Sequence, residues 1–401
     1  MTEAPRFASE QNRDVPVAQT DEFPALRVGR LSVWPPVVLA PMAGITNYPF
    51  RSLCRSYGAG LFVSEMITAR GFLHGNKMTR LLASSAADEK PRSIQIYGAD
   101  PVDVGEMARE LVDEGVDHID MNFGCPVPKV TRHGGGSAVP LKPRLLARIV
   151  RAAVQGAGEV PLTIKVRKGV NSELLTFLDA GEVAETEGAA AIGLHSRTAS
   201  ELYSGAADWS AISELKQHVQ IPVLGNGDIW ECWDALRMMR ETGCDGVIVG
   251  RGCLGRPWLF GELADVFNGN EAKRPPNLGE VVKVAIRHAE ALAEFFQEEP
   301  AVKQMRKWIG WYTKGFHGSA SIRGALNTVE SLDDLRASLL RLPSEEEFPL
   351  RALRMGRAKR GGKQRVKLPE GYLDDLQDDT PPRGPRSIKE IEEWERAHSG
   401  G

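Results

Sequence analysis

Eight short apolar runs, rich in β-branched residues, constrain the fold of this chain more than anything else in it. They lie at residues 37–40, 61–64, 93–97, 118–122, 163–166, 191–195, 222–225 and 246–250. Most read as continuous apolar runs rather than strict alternation, as strands covered on both faces do. Helical signals fill the gaps. Thr46-Asn47-Tyr48-Pro49 offers a cap and an early proline, and Pro101 opens a helix that Gly115 closes. Residues 144–154, 173–187, 209–218 and 230–241 read similarly. Eight strands alternating with helices predict an α/β fold, a parallel (β/α)8 TIM barrel over residues 31–271. The alternative is a doubly wound sheet, which usually has fewer strands and needs a switch-point crevice. The chain has 401 residues, more than the roughly 250 of such a barrel, so a second module is expected.

In such barrels the chemistry sits where strands end. The unusual polar residues fall there: Met42 after the first strand, Gln95 in the third, Asn122 and Cys125 after the fourth, Lys165 in the fifth, His195 in the sixth. Asn226-Gly227-Asp228 follows the seventh and Arg251 the eighth. Within Asn122-Phe123-Gly124-Cys125-Pro126, a glycine lets the backbone bend and a proline stops any helix. Downstream, Lys129 to Gly136 reads as a flexible basic loop. A thiol before a cationic loop suggests a proton donor beside an anionic substrate. Taken alone, a small buried hydrophobe is the commoner fate of a free cysteine. The repeated placement of polar residues at one barrel end reverses that preference.

Composition narrows the setting. Five cysteines, odd in number and without a CxxC pair, indicate neither a zinc site nor a disulfide framework. No metal is expected. The N-terminal residues are polar, which predicts neither signal peptide nor membrane span and points to a cytoplasmic location. The net charge of -3 does not by itself favour nucleic acid.

Two glycine loops, 224–228 and 250–252, follow the last two strands. Loops in those positions often bind phosphate through backbone N–H groups, and Arg251 adds charge; plain turn chemistry is the alternative. Lys165, inside Thr163-Ile164-Lys165-Val166, must find an anion or lose its proton. The N1–C2=O edge of a reduced flavin would supply one; snorkelling from the strand end is the weaker reading. His195 with Arg197 suits a phosphate or a pyrimidine carbonyl, or His195 is a satisfied strand cap. The Gln95 amide can donate to and accept from a flavin edge. Glu65 is well placed but has no assigned role.

These residues resemble a family. Leu39-Ala40-Pro41-Met42-Ala43-Gly44-Ile45-Thr46, Gln95-Ile96-Tyr97-Gly98, Asn122-Phe123-Gly124-Cys125-Pro126, the glycines at 134–136, Lys165-Val166-Arg167, His195-Ser196-Arg197-Thr198 and Gly225-Asn226-Gly227-Asp228 together look like a tRNA-dihydrouridine synthase, closest to the bacterial B-type branch. The resemblance covers about residues 30–345. It implies FMN, NADPH as reductant, and reduction of the uridine C5=C6 bond in tRNA. By position, Pro41, Met42 and Ala43 would lie under the isoalloxazine, and Gln95 and Lys165 would contact its polar edge. His195, Asn226, Gly227, Asp228, Gly250 and Arg251 would contact the ribityl phosphate region. Asn122 would touch the target uracil and Cys125 would be the proton donor. Members often carry a glycine and a second arginine near His195; here those places hold Ser196 and Ala199, so the resemblance implies flavin binding at that loop but not a tRNA contact from it.

After the barrel, 272–277 reads as a linker and 278–298, 301–314, 322–328 and 331–342 as helices, a small all-helical domain over 272–345. Lys303, Arg306 and Lys307 lie on its second helix. Lys303, Lys307 and Lys314 fall within about 40° of one another, a stripe that suits a phosphate backbone. A solvated charged face is the ordinary alternative; the resemblance favours tRNA. Residues 1–30 are read as an N-terminal extension. Residues 346–401, basic and then acidic, are expected to be a disordered tail with a short helix at 388–398. Its basic tract would attract RNA or fold back on its acidic neighbour. The chain is expected to act as a monomer. The rival functions are a free-pyrimidine oxidoreductase, disfavoured by the basic helical module, and a non-enzymatic RNA-binding protein, disfavoured by Cys125 and Lys165.

Overall fold

The computed structural model describes residues 6–58, 60–326, 328–357 and 362–382. An antiparallel hairpin not expected from the sequence comes first, β1 (Leu26–Val28) and β2 (Leu31–Val33). A parallel sheet follows: β3 (Val37–Leu39), β4 (Leu61–Phe62), β5 (Ile67–Thr68), β6 (Ser93–Tyr97), β7 (His118–Phe123), β8 (Leu162–Arg167), β9 (Ala191–His195), β10 (Val223–Asn226) and β11 (Gly246–Val249). Its order is β4-β3-β11-β10-β9-β8-β7-β6-β5. β4 and β5 are halves of one barrel strand, and a parallel bridge from Val63 to Ser93 closes the ring. The architecture is therefore the expected (β/α)8 barrel.

The barrel wall is two-faced, and its inner face is divided. Ile94, Ile96, Ile119, Met121, Phe123, Ile164 and Val166 face the surrounding helices and join the main core. The alternate residues of β6, β7 and β8 point inward and are polar, because successive side chains in a strand leave opposite faces. On the other side the lumen is apolar. Val38, Leu61, Leu224 and Ile248 pack there against Leu26, Val28 and Val33 of the hairpin. One half of the lumen is filled by hydrocarbon and the other by a hydrogen-bonded chain.

Among the described residues, four α-helices follow the barrel, Leu278–Phe296, Glu298–Tyr312, Ser319–Leu326 and Leu332–Leu339. Asn277 and Glu280 form a capping box at the start of the first. The module is seated on the barrel by Trp308, which is fully buried with its ring 4.6 Å from Phe50 and 4.5 Å from His288. Such aromatic pairs add about 0.5–1.5 kcal/mol each beyond area burial.

The expected disordered tail is not what is found at residues 346–357 and 362–382. Phe348, Ala352, Leu353 and Tyr372 are buried. Tyr372, with Val366 and Leu368, closes a small core with Ala138, Leu141 and Val170. A proline-rich, charged composition here still carries enough apolar side chains to dock on a surface already built. The acidic residues contribute too: Asp378 lies 2.7 Å from Lys142 and Asp379 3.2 Å from Arg148. The helix expected at 388–398 lies outside the described residues.

Candidate active site

Alternation puts His118, Asp120 and Asn122 on the inner face of β7, between Ser93 and Gln95 of β6 and Thr163 and Lys165 of β8. Register pairs Gln95 with Asp120, Asp120 with Thr163 and Asn122 with Lys165. One directional hydrogen-bond chain results. The Gln95 amide donates to Asp120 Oδ2 at 2.7 Å, and the Thr163 hydroxyl donates to Asp120 Oδ1 at 2.5 Å. Asn122 Nδ2 donates to Gln95 Oε1 at 2.8 Å. Its own Oδ1 accepts from the amides of Cys125 at 3.0 Å and Gly124 at 3.2 Å. Since Thr163 spends its proton on Asp120, His118 Nε2 is the donor in the 3.0 Å contact to Thr163, and Ser93 donates to His118 Nδ1 at 2.7 Å. Burial pushes His118 down to about 3, the neutral form this pattern needs. Asp120, acceptor for both neighbours, fixes which way Gln95 and Asn122 face. Neither Asp120 nor Thr163 was singled out from the sequence.

Cys125 stands at the end of this chain. Four of the five cysteines are buried and Cys125 is half-buried. Burial pushes its thiol up, while the Val127 amide and the Arg167 guanidinium pull it back down. It is therefore a thiol at neutral pH, with groups in place to receive a thiolate. Arg167 also donates to the carbonyls of Gly124, Thr198 and Leu202 at 3.0 Å, tying the cysteine loop to the loop after β9. The basic loop after Cys125 was expected to be flexible. It is folded, with a short helix at Pro128–Thr131, and Gly136 (φ +55°) packs so closely that an added Cβ would stand 2.6 Å from the Cys125 carbonyl oxygen.

A cationic pocket lies across the rim. Lys165 reaches over Gly193 to donate to Asn226 Oδ1 at 3.0 Å, and the missing side chain at 193 leaves its path open. Burial lowers Lys165 to about 8, Arg167 pushes it the same way, and Asp120 opposes them. His195 is held well below its ordinary value by burial, then by Arg167, Lys165, Arg197 and Arg251. Such a concentration of cations around a neutral imidazole suits a phosphate dianion. Gly227 (φ +136°) and Gly250 border it. Arg251 is stacked 4.1 Å over Tyr203. The Asp228 carboxylate is taken up by Arg197, 2.7 and 2.9 Å from one nitrogen, and by the Ala207 amide at 2.7 Å. Asp228 thus offers a ligand its backbone, and Arg197 holds the loop rather than facing outward.

Pro41, Met42 and Ala43 form a half-exposed ledge at the end of β3. Thr46 Oγ1 accepts from the Met42 amide at 2.9 Å, and buried Arg51, paired with Glu89 at 2.6 Å, holds the Thr46 carbonyl. Glu65 accepts from the Gly44 amide at 2.6 Å, so it shapes this ledge. Lys307 reaches across from the helical module to the Gly44 carbonyl at 2.7 Å. It is thereby a seam residue and not part of an open stripe. Lys303 is exposed and paired with Glu299 at 2.5 Å; Arg306 donates to the Val329 carbonyl at 3.2 Å. The Arg323 side chain crosses Gly310, where a Cβ would stand 2.9 Å from it.

The molecule is thus a (β/α)8 barrel that carries a half-buried thiol and a cluster of cations at one rim. The comparisons with known proteins give the family: the dihydrouridine synthase model matches residues 38–347, and the chain belongs to that oxidoreductase family. It is 50% identical over 372 residues to a probable tRNA-dihydrouridine synthase of Mycobacterium tuberculosis, covering 90% of this chain and 95% of that one. A probable tRNA-dihydrouridine synthase of Mycobacterium leprae is 47% identical over 377 residues, 86% of this chain and 98% of its own. The tRNA-dihydrouridine synthase B of Xanthomonas axonopodis pv. citri is 40% identical over 308 residues, 77% of this chain and 92% of its own. Among the described residues no helix is long and apolar enough to cross a membrane.

Proposed function

We propose that this chain reduces specific uridines of tRNA to 5,6-dihydrouridine with FMN as cofactor and NADPH as reductant, Cys125 giving the proton to C5. The observation that carries this is the half-buried thiol, kept protonated by burial, on the rim that also holds an anion pocket. The residues present fit FMN. Lys165 and the surplus of cations around His195 match its negative edge and phosphate. Asn226, Gly227, Asp228, Gly250 and Arg251 border the phosphate end, and Pro41, Met42 and Ala43 supply a flat apolar ledge. When bound, the flavin supplies the hydride that goes to uracil C6.

The chain's own groups do the rest. The base is flipped from its stack to enter the rim. Asn122, oriented through Gln95 by Asp120, lies beside it and holds the Cys125 amide. The thiol proton passes to C5, and the resulting thiolate is met by the Val127 amide and Arg167 before solvent reprotonates it. Lys303 and Arg306, on the exposed face of the helical module, hold the tRNA backbone. The test is direct: protein carrying FMN, given NADPH and a tRNA transcript, should yield dihydrouridine by mass mapping. Activity on free uracil or orotate but not on tRNA would replace this reading with the free-pyrimidine one.

A further inference from the structure

Residues 362–382 cross the rim beside Cys125, outside the region matched by the family model. Gln364 donates from its side chain to the Pro126 carbonyl at 2.8 Å and the Ala199 carbonyl at 3.2 Å. Its amide donates to the Ser200 carbonyl at 2.8 Å. One residue thus joins the cysteine loop to the loop after β9. Exposure then alternates as in a strand: Gln364, Val366 and Leu368 face the barrel, while Lys363, Arg365 and Lys367 are exposed. Further on, the Tyr372 hydroxyl donates to the Ala138 carbonyl at 3.2 Å, and Asp378 and Asp379 pair with Lys142 and Arg148. Two acidic residues of the segment, Asp378 and Asp379, are therefore engaged in docking against the barrel. Among the described residues, Lys363, Arg365 and Lys367 have no ion-pair partner.

We propose that this strap is a tRNA-binding ridge, its three outward cations contacting backbone phosphates beside the opening that admits the target base. Outward side chains in a strand are about 6–7 Å apart, comparable with the separation of neighbouring phosphates along one strand. The place is the one where Ala199, fully buried beneath Gln364, offers no cation of its own. The ridge rests on the tRNA reading above and adds a second surface to the helical module.

The test uses the full-length holoprotein with Lys363→Gln, Arg365→Gln and Lys367→Gln together, changes on exposed side chains that leave the docking residues intact. Each lost phosphate contact should lower tRNA affinity about 4- to 5-fold at 0.15 M salt, roughly 50- to 150-fold for three, and reduce the salt slope by about 0.7–0.9 per contact. Flavin content and reduction by NADPH should be unchanged. Unaltered affinity and salt slope would overturn the ridge, as would lost binding to anionic vesicles with tRNA binding intact. Wild-type protein that itself failed to bind tRNA would instead overturn the underlying reading.

Discussion

Replacing Lys165 by methionine separates the function of this site from its stability. Burial lowers Lys165 from 10.5 to about 8, so holding the charge in place without an anion costs roughly 3 kcal/mol at pH 7. Methionine removes that term but leaves Asn226 Oδ1 without its donor, a loss of about 1–2 kcal/mol. Flavin-free Lys165→Met should therefore be more stable than wild type by about 1–2 kcal/mol at pH 7. The pH dependence has a definite sign. The folded value lies below the unfolded one, so the unfolded chain binds more protons between pH 8 and 10.5, and wild-type stability rises through that window. Methionine abolishes the rise, and the gap between variant and wild type narrows at pH 9.5. Urea midpoints of flavin-free protein at pH 7 and 9.5 measure this, and flavin content of the same variant as purified should fall. A variant that is less stable at pH 7 and retains full flavin would refute the argument.

Three further outcomes follow from the geometry. Cys125→Ala should bind flavin and accept electrons from NADPH as wild type does, while stopped-flow reoxidation by tRNA slows about 10²–10⁴-fold, the usual contribution of a general acid; wild-type reoxidation would return Cys125 to a packing role. In Asp120→Asn an amide faces two donors, and any turn of Gln95 to suit it deprives Asn122, so tRNA reduction should fall. Asp120 is raised to about 6 by burial, so the wild type loses stability as pH climbs from 3.8 to 6 and the variant should not; identical profiles would remove Asp120 from the chain. Lys307→Met should lower flavin retention, because it frees the Gly44 ledge, and leave the salt slope of tRNA binding unchanged; a slope reduced by about one would put Lys307 on the RNA surface instead.

The barrel was legible because eight apolar runs with helices between them admit few other folds. The rim was legible because polar residues recur at one end of those runs. What was missed lay in plain view. Ser-Ile-Gln-Ile-Tyr, His-Ile-Asp-Met-Asn-Phe and Leu-Thr-Ile-Lys-Val-Arg alternate strictly, yet read as continuous runs because the helix-facing residues dominate. Reading their period of two would have assembled Ser93, His118, Asp120 and Thr163 on the inner face. The role of Lys307 was not legible, since helix geometry places it on a stripe but says nothing of what docks against that stripe. Nor was the strap: Gln364, Tyr372 and Asp378 find partners 165 to 238 residues away, and composition carries no record of such contacts.

The divided lumen explains why the site can be exact without being rigid throughout. Hydrocarbon packing under the hairpin anchors one side of the barrel and asks little of orientation. On the other side the hydrogen bonds run in one direction, so the orientation set at Asp120 is transmitted to the Cys125 amide through two side chains, Gln95 and Asn122. A hydrophobic filling of Thr163 and Asp120 would raise stability, since buried polar groups gain little net free energy even when satisfied. It would also free Gln95 to turn, and the Asn122 contact that holds the Cys125 amide would lose its fixed orientation. The polar half of the lumen is thus retained for direction, and the stabilising burden falls on the apolar half and on the docked modules around it.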